Sequence, residues 1–128
     1  MGPFVAREVV SDKGRVVKRF EGEDFGQVIP ERVAGDLKDM MLRVVESGTG
    51  TAAQIPGLQV AGKTGTAQHG QGQDPHAWFI GFTSSGDRSI AVAVVVEDGG
   101  DLGSEATGGH VAAPVAKAVM KAYLRSGG

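Results

Sequence analysis

The run Val60-Ala61-Gly62-Lys63-Thr64-Gly65-Thr66-Ala67 constrains the fold more than any other stretch, because it fits two incompatible architectures. Read from Gly57, the segment Gly57 to Thr64 satisfies G-x-x-x-x-G-K-[ST], the loop that cradles nucleotide phosphates. The apolar run Ile90 to Val96, followed by Glu97-Asp98, adds a strand ending in acids, where such a protein holds magnesium. That machine needs a buried strand before the glycine loop and a helix straight after the lysine, so that backbone N–H groups and the helix dipole converge on phosphate. Neither flank supplies them. Ser47 to Pro56 is small and polar, with a proline where ladder hydrogen bonds are needed. Gln68-His69-Gly70-Gln71-Gly72-Gln73-Asp74-Pro75 has turn and loop composition, so no helix starts after Lys63. A P-loop-like nucleotide-binding module therefore stands as the alternative and not as the main reading.

In the main reading Leu58 to Ala67 is itself a strand. Regular pleating puts Leu58, Val60 and Gly62 on one face and Gln59, Ala61 and Lys63 on the other. Lys63 then projects from a sheet edge, and Gly65 lets another backbone approach closely. Thr64 and Thr66 fall on the face opposite Lys63 and Gly65, so a local twist is required for these polar groups to converge.

The rest of the chain reads as α+β. Phe4 to Val10 and Arg15 to Phe20 are β-branched runs around Ser11-Asp12-Lys13-Gly14, a hairpin within residues 1–20. Glu21 to Gln27 is an acidic connector. A helix over 30–47 carries Val33, Leu37, Met40, Met41, Val44 and Val45 at helical spacing, with Gly48 as a left-handed cap. Three strands then span residues 58–97: Leu58 to Ala67, His76 to Thr83, and Ser89 to Glu97. The last is apolar throughout Ile90 to Val96, which predicts a central strand covered on both faces. A C-terminal helix over 110–125, with Thr107 as N-cap and Pro114 in its first turn, buries Val111, Val115, Ala118, Val119 and Ala122.

Composition narrows the function classes without naming one. The 128 residues suffice to bury a single core without disulfides or a structural metal, and the net charge of -2 gives no electrostatic reason to expect nucleic acid. There is no cysteine, which excludes disulfides and thiol catalysis. No apolar run approaches the length of a membrane-spanning helix.

Lys63-Thr64-Gly65-Thr66 with its surroundings resembles the third motif of the penicillin-binding proteins, the D,D-transpeptidases that share a fold with serine β-lactamases. Val44 to Ala52 is similar to that family's helix end and glycine turn, and His76 to Phe82 to its next strand. Gly108 to Val115 is similar to the start of its C-terminal helix, and Pro3 to Val9 to a segment ahead of these. The order fits along the whole chain and is most similar to the monofunctional, membrane-anchored class B enzymes. The family's S-x-x-K nucleophile motif is missing: none of Ser11, Ser47, Ser84, Ser85, Ser89, Ser104 and Ser126 is followed by lysine three residues on. With no asparagine in the chain, the S-x-N motif is missing too.

The resemblance therefore implies an antiparallel sheet with helices, as the C-terminal portion of a β-lactamase/transpeptidase-like domain, with the remaining N-terminal part of that domain as a required partner. It assigns Lys63 to electrostatic work beside the catalytic serine, and the Thr66 backbone N–H to the oxyanion hole. Thr64, Gly65, Thr66, Ala67 and Gln68 are implied to bind the substrate, a peptidoglycan stem peptide, or a β-lactam. It implies no cofactor and no metal, no activity from this chain alone, and a location on the extracytoplasmic face of the bacterial membrane through an anchor that these residues lack. A non-catalytic binding or scaffold domain of the same fold is a further alternative, and a β-lactamase is one within the family.

Other polar residues read more plainly. His69 and His76 flank a Gly/Gln-rich loop, and their spacing brings no carboxylate partner for a metal. His110 reads as a helix-start residue. Trp78, Phe79 and Phe82 read as core. Glu97, Asp98, Asp101 and Glu105 form an acidic loop beside the cleft, without the spacing of a calcium-binding EF-hand.

Overall fold

Ser11-Asp12-Lys13-Gly14 turns the chain because Gly14 adopts φ +72°, a left-handed value that glycine reaches without steric cost. Strands β1 (Glu8–Val10) and β2 (Val16–Arg19) pair antiparallel on either side, with a bulge between Val9 and Val10. The turn closes through Ser11 N–H to Arg15 O at 2.8 Å and Gly14 N–H to Ser11 O at 2.9 Å. Arg19, opposite Glu8 in register, lies 3.4 Å from its carboxylate. The computed structural model describes residues 6–21 and 26–125. The first residues of the expected Phe4 strand and most of the acidic connector lie outside them.

By its internal contacts the chain divides into two units, residues 1–34 with the hairpin and residues 35–128 with the larger sheet. The division falls in the first turn of helix α1 (Glu31–Ser47), whose first hydrogen bond runs from Ala34 N–H to Pro30 O. Its apolar stripe is only partly covered. Val45 is buried, but Val33, Leu37 and Met40 are 36, 45 and 56 % exposed. The helix also ends differently from expectation. Gly48 is not left-handed. Its N–H and that of Gly50 both donate to Val44 O, at 3.1 and 2.9 Å. The side chain of Gln54 donates to the carbonyls of Val45 and Glu46 at 2.9 and 3.0 Å, satisfying acceptors that a helix end leaves open. Glycine at 48 supplies room instead: a Cβ there would sit 2.9 Å from Val44 O.

Beyond a 3-10 turn at Thr51–Ala53, strands β3 (Val60–Ala67), β4 (His76–Ser85) and β5 (Arg88–Val96) form an antiparallel sheet in the order β3-β4-β5. The fold class is α+β, as the sequence implies. The expectation that β5 is central fails, because β4 is. Along β5 only alternate residues, Ile90, Val92, Val94 and Val96, pack against the core, while the intervening ones face outward and Val95 is exposed. An unbroken apolar run is compatible with two covered faces, but among the described residues only one is covered.

The core lies between the inner face of this sheet and helix α2 (Ala113–Arg125). Phe79 is fully buried, and its ring lies across the paired glycines Gly62 and Gly81. A Cβ at either would come within 2.3 or 2.7 Å of the ring. The buried face of α2 is Ala113, Ala116 and Met120, continued by Ala112 just before it; Val115 and Val119 are each 46 % exposed, against expectation. A π-helical turn, Gly108–Ala112, precedes α2, and alanines on the contact face let the helix come closer to the sheet than valines would. Thr107 caps this turn as expected, its Oγ1 accepting from His110 N–H at 3.3 Å. Replacing Thr107 by Ala is expected to cost about 1 kcal/mol, read as a lower urea midpoint with an unchanged slope. An unshifted midpoint would show that the hydroxyl does not cap.

Candidate functional site

Lys63, Thr64, Gly65 and Thr66 all lie inside β3, and this removes the phosphate-loop alternative. Lys63 pairs with Ile80 and Thr66 with Ala77 in an unbroken antiparallel ladder, and no helix follows the lysine. There is no cradle of converging N–H groups for a phosphate. β3 is instead an edge strand: it pairs with β4 on one side and with no strand on the other among the described residues.

Along that edge the strand passes from buried to open. Val60, Ala61 and Gly62 are buried, Thr64 and Gly65 half-buried, and Lys63, Thr66 and Ala67 exposed, as is Gln68 just beyond the strand. Lys63 bends back so that its ammonium donates to the Thr64 carbonyl, bringing charge from the outer face to the strand's own backbone. Around Lys63 the outer face is apolar and open: Trp78, opposite Gly65, is 41 % exposed, and Ile80 is 48 % exposed. Trp78 is therefore not core, because alternation along β4 sends Phe79 inward and its neighbour outward.

Two further segments hold this strand and were not legible in the sequence as site residues. Thr49, in the glycine turn after α1, places its Oγ1 2.6 Å from Thr64 Oγ1. If Thr49 donates, the Thr64 proton remains free for another acceptor. Gly108 presses directly on the β3–β4 ladder: a Cβ there would lie 2.0 Å from Trp78 O, 2.8 Å from Gly65 O and 2.9 Å from Gly65 N. Gly109 packs equally tightly, its would-be Cβ 2.2 Å from Thr49 O. The close backbone approach expected at Gly65 is thus real, but the residue that must lack a side chain is Gly108. At Gly65 a Cβ would meet only Trp78 Cβ, at 3.3 Å.

Residues 2–121 match the family described as penicillin binding protein transpeptidase domain. The chain belongs to the penicillin-binding transpeptidase family. Among similar proteins, the peptidoglycan D,D-transpeptidase PbpA of Mycolicibacterium smegmatis is 39 % identical over 99 % of this chain and 26 % of its own length. PbpA of Mycobacterium tuberculosis is 42 % identical over 77 % of this chain and 20 % of its own. The crystal structure of PBPA from Mycobacterium tuberculosis superposes with a TM-score of 0.67 at 34 % identity, over 95 % of this chain and 28 % of that one. A D,D-transpeptidase domain from Eggerthella lenta gives the same TM-score and identity, covering 27 % of that chain. The chain spans about a quarter of the length of these relatives. Penicillin-binding transpeptidases share its mixed helix and antiparallel sheet architecture, and β3 carries the Lys-Thr-Gly motif of the superfamily.

The histidines also differ from their sequence reading. His69, past the end of β3, and His76, the first residue of β4, stack with ring centroids 3.7 Å apart. Asp98, just beyond β5 in a 3-10 segment, donates its backbone N–H to His76 Nδ1 at 3.0 Å. The carboxylate partner that spacing did not reveal is the side chain of Asp98, whose Oδ1 lies beside both imidazoles. His110 is exposed and engages only through its backbone N–H among the described contacts.

Proposed function

We propose that β3 and Gln68 form the carboxylate and oxyanion side of a serine D,D-transpeptidase site, in a protein that cross-links peptidoglycan by acyl transfer from stem peptides ending in D-Ala-D-Ala. The observation that supports this most is a Lys-Thr-Gly-Thr segment on an open sheet edge, held from behind by Thr49 and Gly108. An acyl-donor peptide would add to that edge as a further strand, alongside Lys63 to Gln68. Lys63, a compact point charge, would attract the terminal carboxylate, and the Thr64 and Thr66 hydroxyls would donate to it. Thr64 is oriented for this by Thr49.

The Thr66 N–H, with the N–H of the nucleophilic serine, would stabilise the oxyanion as the serine oxygen bonds to the scissile carbonyl carbon. The C–N bond then breaks, and D-alanine leaves with a proton on its nitrogen. An amine from a neighbouring stem peptide next attacks the acyl-serine, forming the new amide and returning a proton to the serine oxygen. The serine comes from residues outside these 128, since none within them precedes a lysine by three. A protein acting on peptidoglycan would work outside the cytoplasm, and the rest of the transpeptidase domain would be the partner that completes the site.

The test is an amide nitrogen–proton spectrum of the chain with excess β-lactam. Small, fast-exchange shifts confined to Lys63 through Gln68 are expected, lost in Lys63→Ala, with no mass increase. A covalent adduct, or shifts at Lys63 produced by ATP and magnesium but not by β-lactam, would overturn the proposal.

A further inference from the structure

Two segments meet where β3 ends, β4 begins and β5 ends: the β3–β4 connection brings His69 and His76 from its two ends, and the segment after β5 brings Asp98. Asp98 Oδ1 lies 3.1 Å from His69 Nε2 and 3.8 Å from His76 Nδ1. The donor atoms of all three residues fall within 4.8 Å of one another. Ligands bound to a tetrahedral zinc ion at its usual bond lengths sit about 3.3 Å apart, close to the two distances from Asp98 Oδ1.

The hydrogen-bonding of the cluster is incomplete by itself. His69 Nε2 is shielded from solvent and has no hydrogen-bond partner, even with the Asp98 oxygen at 3.1 Å, because that contact lacks hydrogen-bond geometry. Asp98 is the only non-glycine residue with positive φ among those described, at 49°, and that conformation turns its side chain and its N–H toward the histidines. No lysine or arginine is ion-paired to Asp98 among the described contacts.

We propose that His69, His76 and Asp98 bind one divalent transition-metal ion, with zinc the best match. Two imidazoles and one carboxylate are a borderline-soft set that suits zinc and its neighbours and disfavours magnesium or calcium, which require mostly oxygen. Water would complete the coordination, since the Asp98 side chain is 70 % exposed. Binding requires one specific rearrangement. The stacked rings, now 20° from parallel, must splay so that both in-plane lone pairs face the ion, and Asp98 N–H must release His76 Nδ1. Gly70 and Gly72, at φ +67° and +74°, give the intervening loop the freedom to do this. The ion would tie the loop that follows Gln68 to the segment that follows β5. This site adjoins the end of the Lys-Thr-Gly strand, where His76 pairs with Ala67, but it does not depend on the transpeptidase reading.

Calorimetric titration of the untagged chain with zinc chloride should give one saturable site per chain. His69→Ala, His76→Ala and Asp98→Gly should each weaken binding by about 100-fold or more, since losing even an outer partner of a metal ligand costs 10- to 100-fold. Asp98→Gly is chosen because glycine keeps the left-handed backbone while removing the carboxylate. His110→Ala should leave the affinity unchanged. Long-range nitrogen–proton spectra of the imidazoles should show His69 Nε2 metallated, and this readout needs no variant. Absence of a saturable site, binding unaffected in Asp98→Gly, or metallation confined to His110 would overturn the proposal.

Discussion

Gly108→Ala is expected to destabilise the sheet-bearing unit by about 3 kcal/mol or more, at the upper end of what overpacking costs. The added Cβ would stand 2.0 Å from Trp78 O, with Gly65 O and N at 2.8 and 2.9 Å. All three obstacles are backbone atoms of a paired ladder, so no rotamer change relieves them. Either the π-helical turn lifts from the sheet, taking α2 with it, or β3 and β4 part at Gly65. Urea unfolding should show a lower midpoint, and the amides of Gly65 and Trp78 should shift most. Gly35→Ala makes the control, since nothing lies within 4 Å of its would-be Cβ inside α1. That change should stabilise by about 0.5–1 kcal/mol through helix propensity. Equal effects from the two substitutions would show that the close approach at Gly108 does not exist.

Phe79→Ala should cost about 3–5 kcal/mol, the range for removing a fully buried aromatic ring. Its environment allows a sharper test than the single substitution. In the intact protein Gly62→Ala is also harmful, because the new methyl would come 2.3 Å from the Phe79 ring. With the ring gone, the same methyl fills part of the cavity. The double variant should therefore be more stable than the sum of the single effects predicts, by about 1–3 kcal/mol, within the range found for residues in contact. Strict additivity would mean that the ring does not rest on Gly62.

How far the sequence could be read depended on whether a residue's environment is local. Strand and helix positions were legible because pleating and helical spacing are properties of neighbouring residues. Thr107 as a cap was legible for the same reason, since its acceptor serves an N–H three residues away. Lys63 at a sheet edge followed from loop-forming flanks. Most of what failed depends on a partner distant in sequence. Val115 and Val119 are as apolar as Ala112 and Ala116, and only the closeness of the sheet selects the alanines. β5 offers two apolar faces, and composition does not say that only one is covered. Trp78 reads as core because alternation places it in a strand with Phe79 and Phe82, yet the same alternation sends it to the face opposite Phe79. Asp98 reads only as part of an acidic loop beside the cleft, because nothing in its own neighbourhood announces His69 and His76.

Hydrophobic alternation forbids a one-residue slip between β3 and β4, since that would turn the core face outward, but it does not forbid a slip of two. Such a slip would bring Val60 or Thr64 opposite Gly81, under a ring that leaves space only for hydrogen at that position. The glycine pair beneath Phe79 is therefore a register lock. It fixes Lys63 opposite Ile80 and nowhere else along the edge, so the address of the exposed ammonium is written in the buried face of the same sheet.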